Sequence, residues 1–274
     1  MTPLKSIGFG FLGAMLAIAA WVAFEATGIV RGPSLNSTVD QRTGEFERRV
    51  RDYLLANPRV LIESVQRLQK DQRTAETDEI GQIIAARSDD IFNDPDDPVG
   101  GNPNGDVSVV EFFDYNCPYC RRVAPVLAEI EKTDPNLRIV YKEWPILGPN
   151  SEFAALAALA SHQQGKYFEF HKAMMLAGRL MSEGSVIEAA ATVGLDVERL
   201  KVDMQAPELT SLIERNRELA RALRITGTPS FVIGSEILRG AADAKVIRAM
   251  ISNAREQVNG SNRTERQKST PQRN

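Results

Sequence analysis

The stretch VSVVEFFDYNCPYCRRVAPVLAEIE, residues 107–131, decides the fold. Val107 to Phe113 is short, rich in β-branched and aromatic residues, and reads as a buried strand. From Cys117 onward the period changes: Val123, Leu127 and Ile130 recur at helical spacing. Cys117-Pro118-Tyr119-Cys120 therefore follows a strand and opens a helix. A helix start presents unpaired N–H groups and the positive end of the dipole, both of which favour a thiolate at Cys117. Cys120 lies one turn deeper, close enough to close a small disulfide ring. The first sulfur can attack a substrate disulfide and the second can resolve the mixed disulfide.

These are the chain's only two cysteines. They cannot form a disulfide scaffold of the small secreted kind or an all-cysteine zinc site. A mixed zinc site lacks a second Cys/His pair, because His162 and His171 lie far off in sequence. A purely structural bridge across so short a loop gains little from closure entropy. The 33 Lys and Arg against 36 Asp and Glu give a net charge of −3, which argues against a generally basic nucleic-acid-binding surface. No cofactor, metal or nucleic acid is expected.

Outward from this stretch, Leu137 to Trp144 alternates and reads as a second strand. A long helical region follows from about 149 to 224, broken by Gly165, Gly184 and Gly194. Ser230 to Ile233 and Ile237-Leu238 read as two more strands, and Ala242 to Val258 as a final helix. The order is β-α-β, a helical block, then β-β-α.

With Gly227-Thr228-Pro229-Ser230-Phe231 placed before the late strands, this order resembles the thioredoxin fold. The helical block inserted after Trp144-Pro145-Ile146-Leu147-Gly148 resembles the DsbA-like branch. Within it, the segment from Glu111 to Cys120 looks like periplasmic members of the Com1-like group and the suppressor-of-copper-sensitivity protein C group. The resemblance covers about residues 95–257. It implies an α/β thioredoxin fold with an inserted helical domain, and a protein thiol:disulfide oxidoreductase acting on unfolded or misfolded exported proteins. It also implies a membrane redox partner that resets the pair.

By resemblance, Pro229 is cis and faces the sulfurs, and the Thr228 backbone pairs with an extended substrate. Glu111 matches a buried acid that relays protons to Cys120. Strongly oxidising members carry histidine where this chain has Tyr119, which adds no positive charge, so a less oxidising pair is expected. The resemblance does not settle oxidase against isomerase or reductase. A competing reading is a copper-binding or copper-protecting envelope protein, since two thiolates suit Cu(I). However, Met174, Met175 and Met181 sit in the helical block at core-like spacing.

At the amino terminus, the eighteen residues Ile7–Phe24 carry no charge, enough to span about 27 Å as a helix. Residues 1–30 read as a signal peptide or a signal anchor in the inner membrane, which places the rest in the periplasm. Residues 31–42 read as a linker. A helical region is expected over 43–92, where Phe46, Val50, Tyr53 and Leu54 share one face before a break at Asn57-Pro58. Its Arg51-to-Pro58 core resembles the segment that oligomerises the copper-sensitivity group, trimeric in some members, so residues 43–92 are expected either to assemble copies or to act as a spacer above the membrane. The catalytic domain is expected over 93–258, after a solvated acidic stretch at 89–98. Residues 259–274 read as a disordered tail.

Overall fold

β2 (Val107–Phe113) is the centre of a five-stranded sheet ordered β1-β3-β2-β4-β5. The computed structural model describes residues 35–269. β3 (Leu137–Glu143) runs parallel to β2, and β4 (Ser230–Ile233) antiparallel to it. A parallel neighbour needs a crossover, and α4 (Pro118–Thr133) supplies it. The edges are β1 (Val99–Gly101) and β5 (Glu236–Arg239). β1 is a strand the sequence did not announce. At Gly101 φ is +66°, and an added Cβ would lie 2.4 Å from the Leu137 carbonyl oxygen, so the position admits only glycine.

Alternation along β2 builds two cores. Val109 and Phe113 pack with Leu127 and Ile130 of α4 and with Ile247 and Ile251 of α10 (Ala244–Ser269). Val110 and Phe112 pack with Val140, Trp144, Leu219 and Leu223 on the opposite face. Glu111 shares the Val109–Phe113 face, which α4 covers, and is buried there. Between β3 and β4 lie α5 (Pro149–His162), α6 (Tyr167–Met175), α7 (Glu183–Thr192), α8 (Val197–Asp203) and α9 (Pro207–Ala222). All five helices lie between Pro149 and Ala222. Met174, Met175 and Met181 are core residues.

The chain divides into two compact units, Met1–Asp71 and Gln72–Asn274. In the first, α1 (Leu35–Ala56) ends where Asn57 donates both its backbone N–H and its side-chain amide to the Tyr53 carbonyl. α2 (Arg59–Ala86) starts after Pro58. Phe46 (67% exposed), Val50, Tyr53, Leu61, Val65 and Leu68 all face solvent.

Four expected boundaries shift. Helix begins at Leu35, inside the supposed linker of 31–42, and no proline lies between Pro33 and Pro58 to interrupt it. The helical region of 43–92 splits after Asp71, since Ile80, Ile84 and Ile91 join the catalytic unit's core. The acidic stretch 89–98 is not simply solvated: it includes part of α3 (Ser88–Phe92), and Asp97 is buried against Lys142. The last helix runs to Ser269, through most of the supposed disordered tail. Extending a formed helix avoids the nucleation cost, and the next proline is Pro271. Among the described residues, no helix is long and apolar enough to cross a membrane. The expected anchor, Ile7–Phe24, lies outside them.

Candidate active site

The turn out of β2 is fastened before the cysteines begin. The Asp114 carboxylate accepts hydrogen bonds from the Asn116 N–H (2.7 Å), the Ser151 hydroxyl (2.8 Å) and the Ile146 and Leu147 N–H groups (2.8 and 3.0 Å). It ties the turn to the Trp144–Gly148 loop and to the start of α5. The Asn116 amide oxygen accepts from the Met181 N–H at 2.6 Å, and its nitrogen donates to the Met181 carbonyl at 3.1 Å. Sequence reading placed both residues in the motif but assigned them no task. Their task is to lock the helical insertion onto the active-site turn.

Cys117 is the N-cap of α4, extended at φ −76° and ψ 118°, with Pro118 as the first helical residue. Both thiols are free and buried, Cys120 completely. Their acidities diverge. Cys117 is lowered from 9.0 to about 5, mainly by a hydrogen bond from Cys120. Burial opposes this, while Thr228 and the backbone N–H groups of Cys120 and Tyr119 assist. Cys120 is pushed far up by burial, then by Cys117 and the charge of Glu111.

The Thr228–Pro229 peptide bond is cis, and the protonated Cys117 thiol donates to the Thr228 carbonyl at 3.2 Å. A carbonyl stabilises only the thiol form, so the lowering must come from the N–H, O–H and S–H donors. Tyr119 is 53% exposed, with the Arg122 guanidinium carbon 5.3 Å from its ring centre. The structure thus brings Cys117, Pro118, Tyr119, Cys120, Thr228 and Pro229 together.

Glu111 lies beneath them, and its Oε1 has no hydrogen-bond partner among the described residues. Burial, helped by the Cys117 charge, pushes its carboxyl up to about 8. Near neutral pH it therefore holds a proton much of the time. A cavity of about 780 Å³ between α4 and α6 reaches it, with Tyr141, His171 and Lys172 on the walls.

Sequence reading missed a second buried carboxyl, Glu143. It accepts from the Tyr115 hydroxyl (2.9 Å) and the Tyr167 hydroxyl (2.8 Å), and burial raises its pKa well above the usual carboxylate range. Tyr115 gives its single proton to Glu143, so it accepts from Nδ1 of His171 at 3.0 Å. Burial lowers the His171 pKa to about 3, leaving a neutral ring packed among aromatics. The available signal was the face it shares: Glu143 follows Leu137, Ile139 and Tyr141 at period two. Among the described residues no cluster of His, Cys, Asp and Glu is arranged to hold a metal ion.

Residues 108–252 match the family described as the DSBA-like thioredoxin domain, a little over half of the chain. Residues 43–75 match the copper resistance protein ScsC N-terminal domain. The thiol:disulfide interchange protein DsbA of Bordetella parapertussis is 28% identical over 58% of this chain and 81% of its own length. A thioredoxin-like oxidoreductase from Silicibacter pomeroyi is 50% identical, covering 61% of this chain and 97% of that one with a TM-score of 0.61. A linker-deleted ScsC variant of Proteus mirabilis is 25% identical, covering 84% of this chain and 100% of that one at a TM-score of 0.62. The first curated relatives are Na(+)/H(+) antiporters; that of Salinispora tropica is 26% identical over 59% of this chain, which spans only 25% of its length.

Proposed function

The chain belongs to the DsbA-like thioredoxin family and is ScsC-like at its amino-terminal helices, and from that premise we propose a periplasmic enzyme that reshuffles or reduces disulfides in exported proteins. The observation that carries this reading is the geometry of the pair: Cys117 caps α4 beside the cis Thr228–Pro229 bond, and Cys120 is fully buried one turn further in.

In the reaction, the Cys117 thiolate attacks one sulfur of a client disulfide and expels the other as a thiolate. The Cys120 thiol then loses its proton, with the ionised fraction of Glu111 as acceptor, and attacks Cys117. The client's second sulfur leaves as a thiolate. The client gains two electrons and the pair becomes a disulfide. If the client's own thiol attacks first, the client leaves rearranged and the pair stays reduced, which is isomerisation. Run backwards, the same steps oxidise a client. Thr228 and Pro229 exchange no electrons in this chemistry; they hold the client strand beside Cys117. A dithiol partner at the membrane restores the reduced pair.

Residues 43–71 assemble copies, a trimer being the expected form, by burying the exposed stripe from Phe46 to Leu68 on like helices. The export segment Ile7–Phe24 delivers the chain to the periplasm. The test joins the two claims. Insulin reduction and scrambled ribonuclease refolding are measured for the full chain and for one lacking residues 43–71, with light scattering on both. The cut stops at 71 because Ile80, Ile84 and Ile91 belong to the catalytic core. Both activities are expected in the full chain, with refolding alone lost on truncation as the oligomer falls apart. Activity in neither assay defeats the enzyme reading, and a monomer in both chains defeats the assembly.

A further inference from the structure

The surface flanking the cysteines carries a charge opposite to that of the whole chain. Two depressions border the motif. One is bounded by Pro118, Arg121, Arg122, Leu176, Arg179 and Leu180, the other by Tyr119, Arg122, Thr228, Pro229 and Arg239. Four arginines line them and no Asp or Glu does, although the chain's net charge is −3. Arg179 is paired with Glu188. Arg121, Arg122 and Arg239 form no ion pair among the described residues. Arg122 instead lies over the Tyr119 ring, and Arg239 reaches only the Arg224 carbonyl.

The positive end of α4, a helix of 16 residues, points the same way. Structural arginines are normally neutralised by neighbouring carboxylates, as Arg215 and Arg255 are here. Beside the sulfurs Arg121, Arg122 and Arg239 are left open, with Leu176 and Leu180 exposed nearby.

We infer that this rim selects its clients: it favours extended segments in which the reacting cysteine is flanked by Asp or Glu and by apolar residues. The inference rests on the exchange reading above and adds the substrate class. Arg122 borders both depressions and is the central specificity residue, with Arg239 beside the Thr228–Pro229 edge. Rim charges of this kind act on encounter and register, and salt screens them.

The test uses the reduced full-length protein and three peptides. Each has one cysteine, capped as its mixed disulfide with 2-mercaptoethanol and flanked by Asp/Glu, Ser/Gln or Lys/Arg. Cys117 attacks the capped sulfur, Cys120 resolves, and the free peptide and 2-mercaptoethanol are released as the pair is oxidised. Each rate is divided by the same peptide's rate with dithiothreitol, which removes the effect of the flanking charges on the thiol itself. The normalised order is expected to be acidic, neutral, basic, spanning about tenfold at low ionic strength and about twofold at 0.5 M salt. The R122Q/R239Q double variant narrows the low-salt span to about threefold. Equal normalised rates, or a span the double variant leaves intact, overturn the inference. No reaction with any peptide defeats the exchange reading beneath it.

Discussion

Cys117→Ala is expected to lower insulin reduction and ribonuclease refolding by at least about 1,000-fold, because among the described residues Cys120 is the one other thiol. Cys120 cannot substitute: it is fully buried and its pKa is pushed far up. Cys120→Ala should behave differently. Its Cys117 still attacks, so a protein–client mixed disulfide accumulates and is visible on a non-reducing gel. Wild-type turnover in Cys117→Ala, or no trapped species in Cys120→Ala, contradicts the assignment of attack to the first sulfur and resolution to the second.

The largest effect on stability is expected from Lys142. Its ammonium is buried on the β3 face opposite Glu143, paired with the buried Asp97 and donating also to the Asp90 carbonyl. Removing one partner of a buried pair costs about 3–5 kcal/mol. For a unit of this size, that lowers the melting temperature by about 10 °C. Lys142→Met is therefore strongly destabilising, whereas Lys142→Met with Asp97→Leu recovers most of the loss.

The pH dependence has a definite sign. Burial pushes the Asp97 carboxyl from 3.8 up to about 7, against the pull of Lys142. Between these values the folded state holds a proton that the unfolded chain has released. Asp97 therefore makes stability fall as pH rises from about 4 to 7. Losing Lys142 removes the group that pulls this pKa down, so the Lys142→Met deficit is greater at pH 8 than at pH 5. Equal melting temperatures for wild type and Lys142→Met at pH 8 would show that the pair contributes nothing.

The fold was legible because its signals are local. β2 and α4 are visible in the change of period at Cys117, and the insertion is visible as helical spacing between two strands. The motif residues were legible for the same reason, since Cys117, Cys120 and Glu111 lie within one strand and one turn. What sequence reading lost depends on partners far along the chain. Asp97 looked solvated because its counter-charge is Lys142, 45 positions away. Tyr115, Glu143, Tyr167 and His171 form one hydrogen-bonded cluster drawn from separate elements and a turn. Asp114 and Asn116 were in view, but their partners at 146, 147, 151 and 181 were not. Composition also misjudged the tail, because helix extension depends on the helix already formed before it.

The acidity of Cys117 joins fold to function. Thiols in thioredoxin and in the strong oxidase DsbA titrate near about 7 and 3.5, and Cys117 falls between them at about 5. That position agrees with Tyr119 adding no cation of its own. A depressed thiol pKa stabilises the folded reduced state fully only above the unperturbed value of 9.0, and this contribution is lost progressively as pH falls from there to about 5.

The most direct measurement is the thiolate absorbance near 240 nm, followed from pH 3 to 10 for the reduced wild type against its oxidised form. One thiolate is predicted to appear with a midpoint near pH 5, with no second step below pH 9. A single midpoint near 9, the value of an unperturbed thiol, would contradict the account.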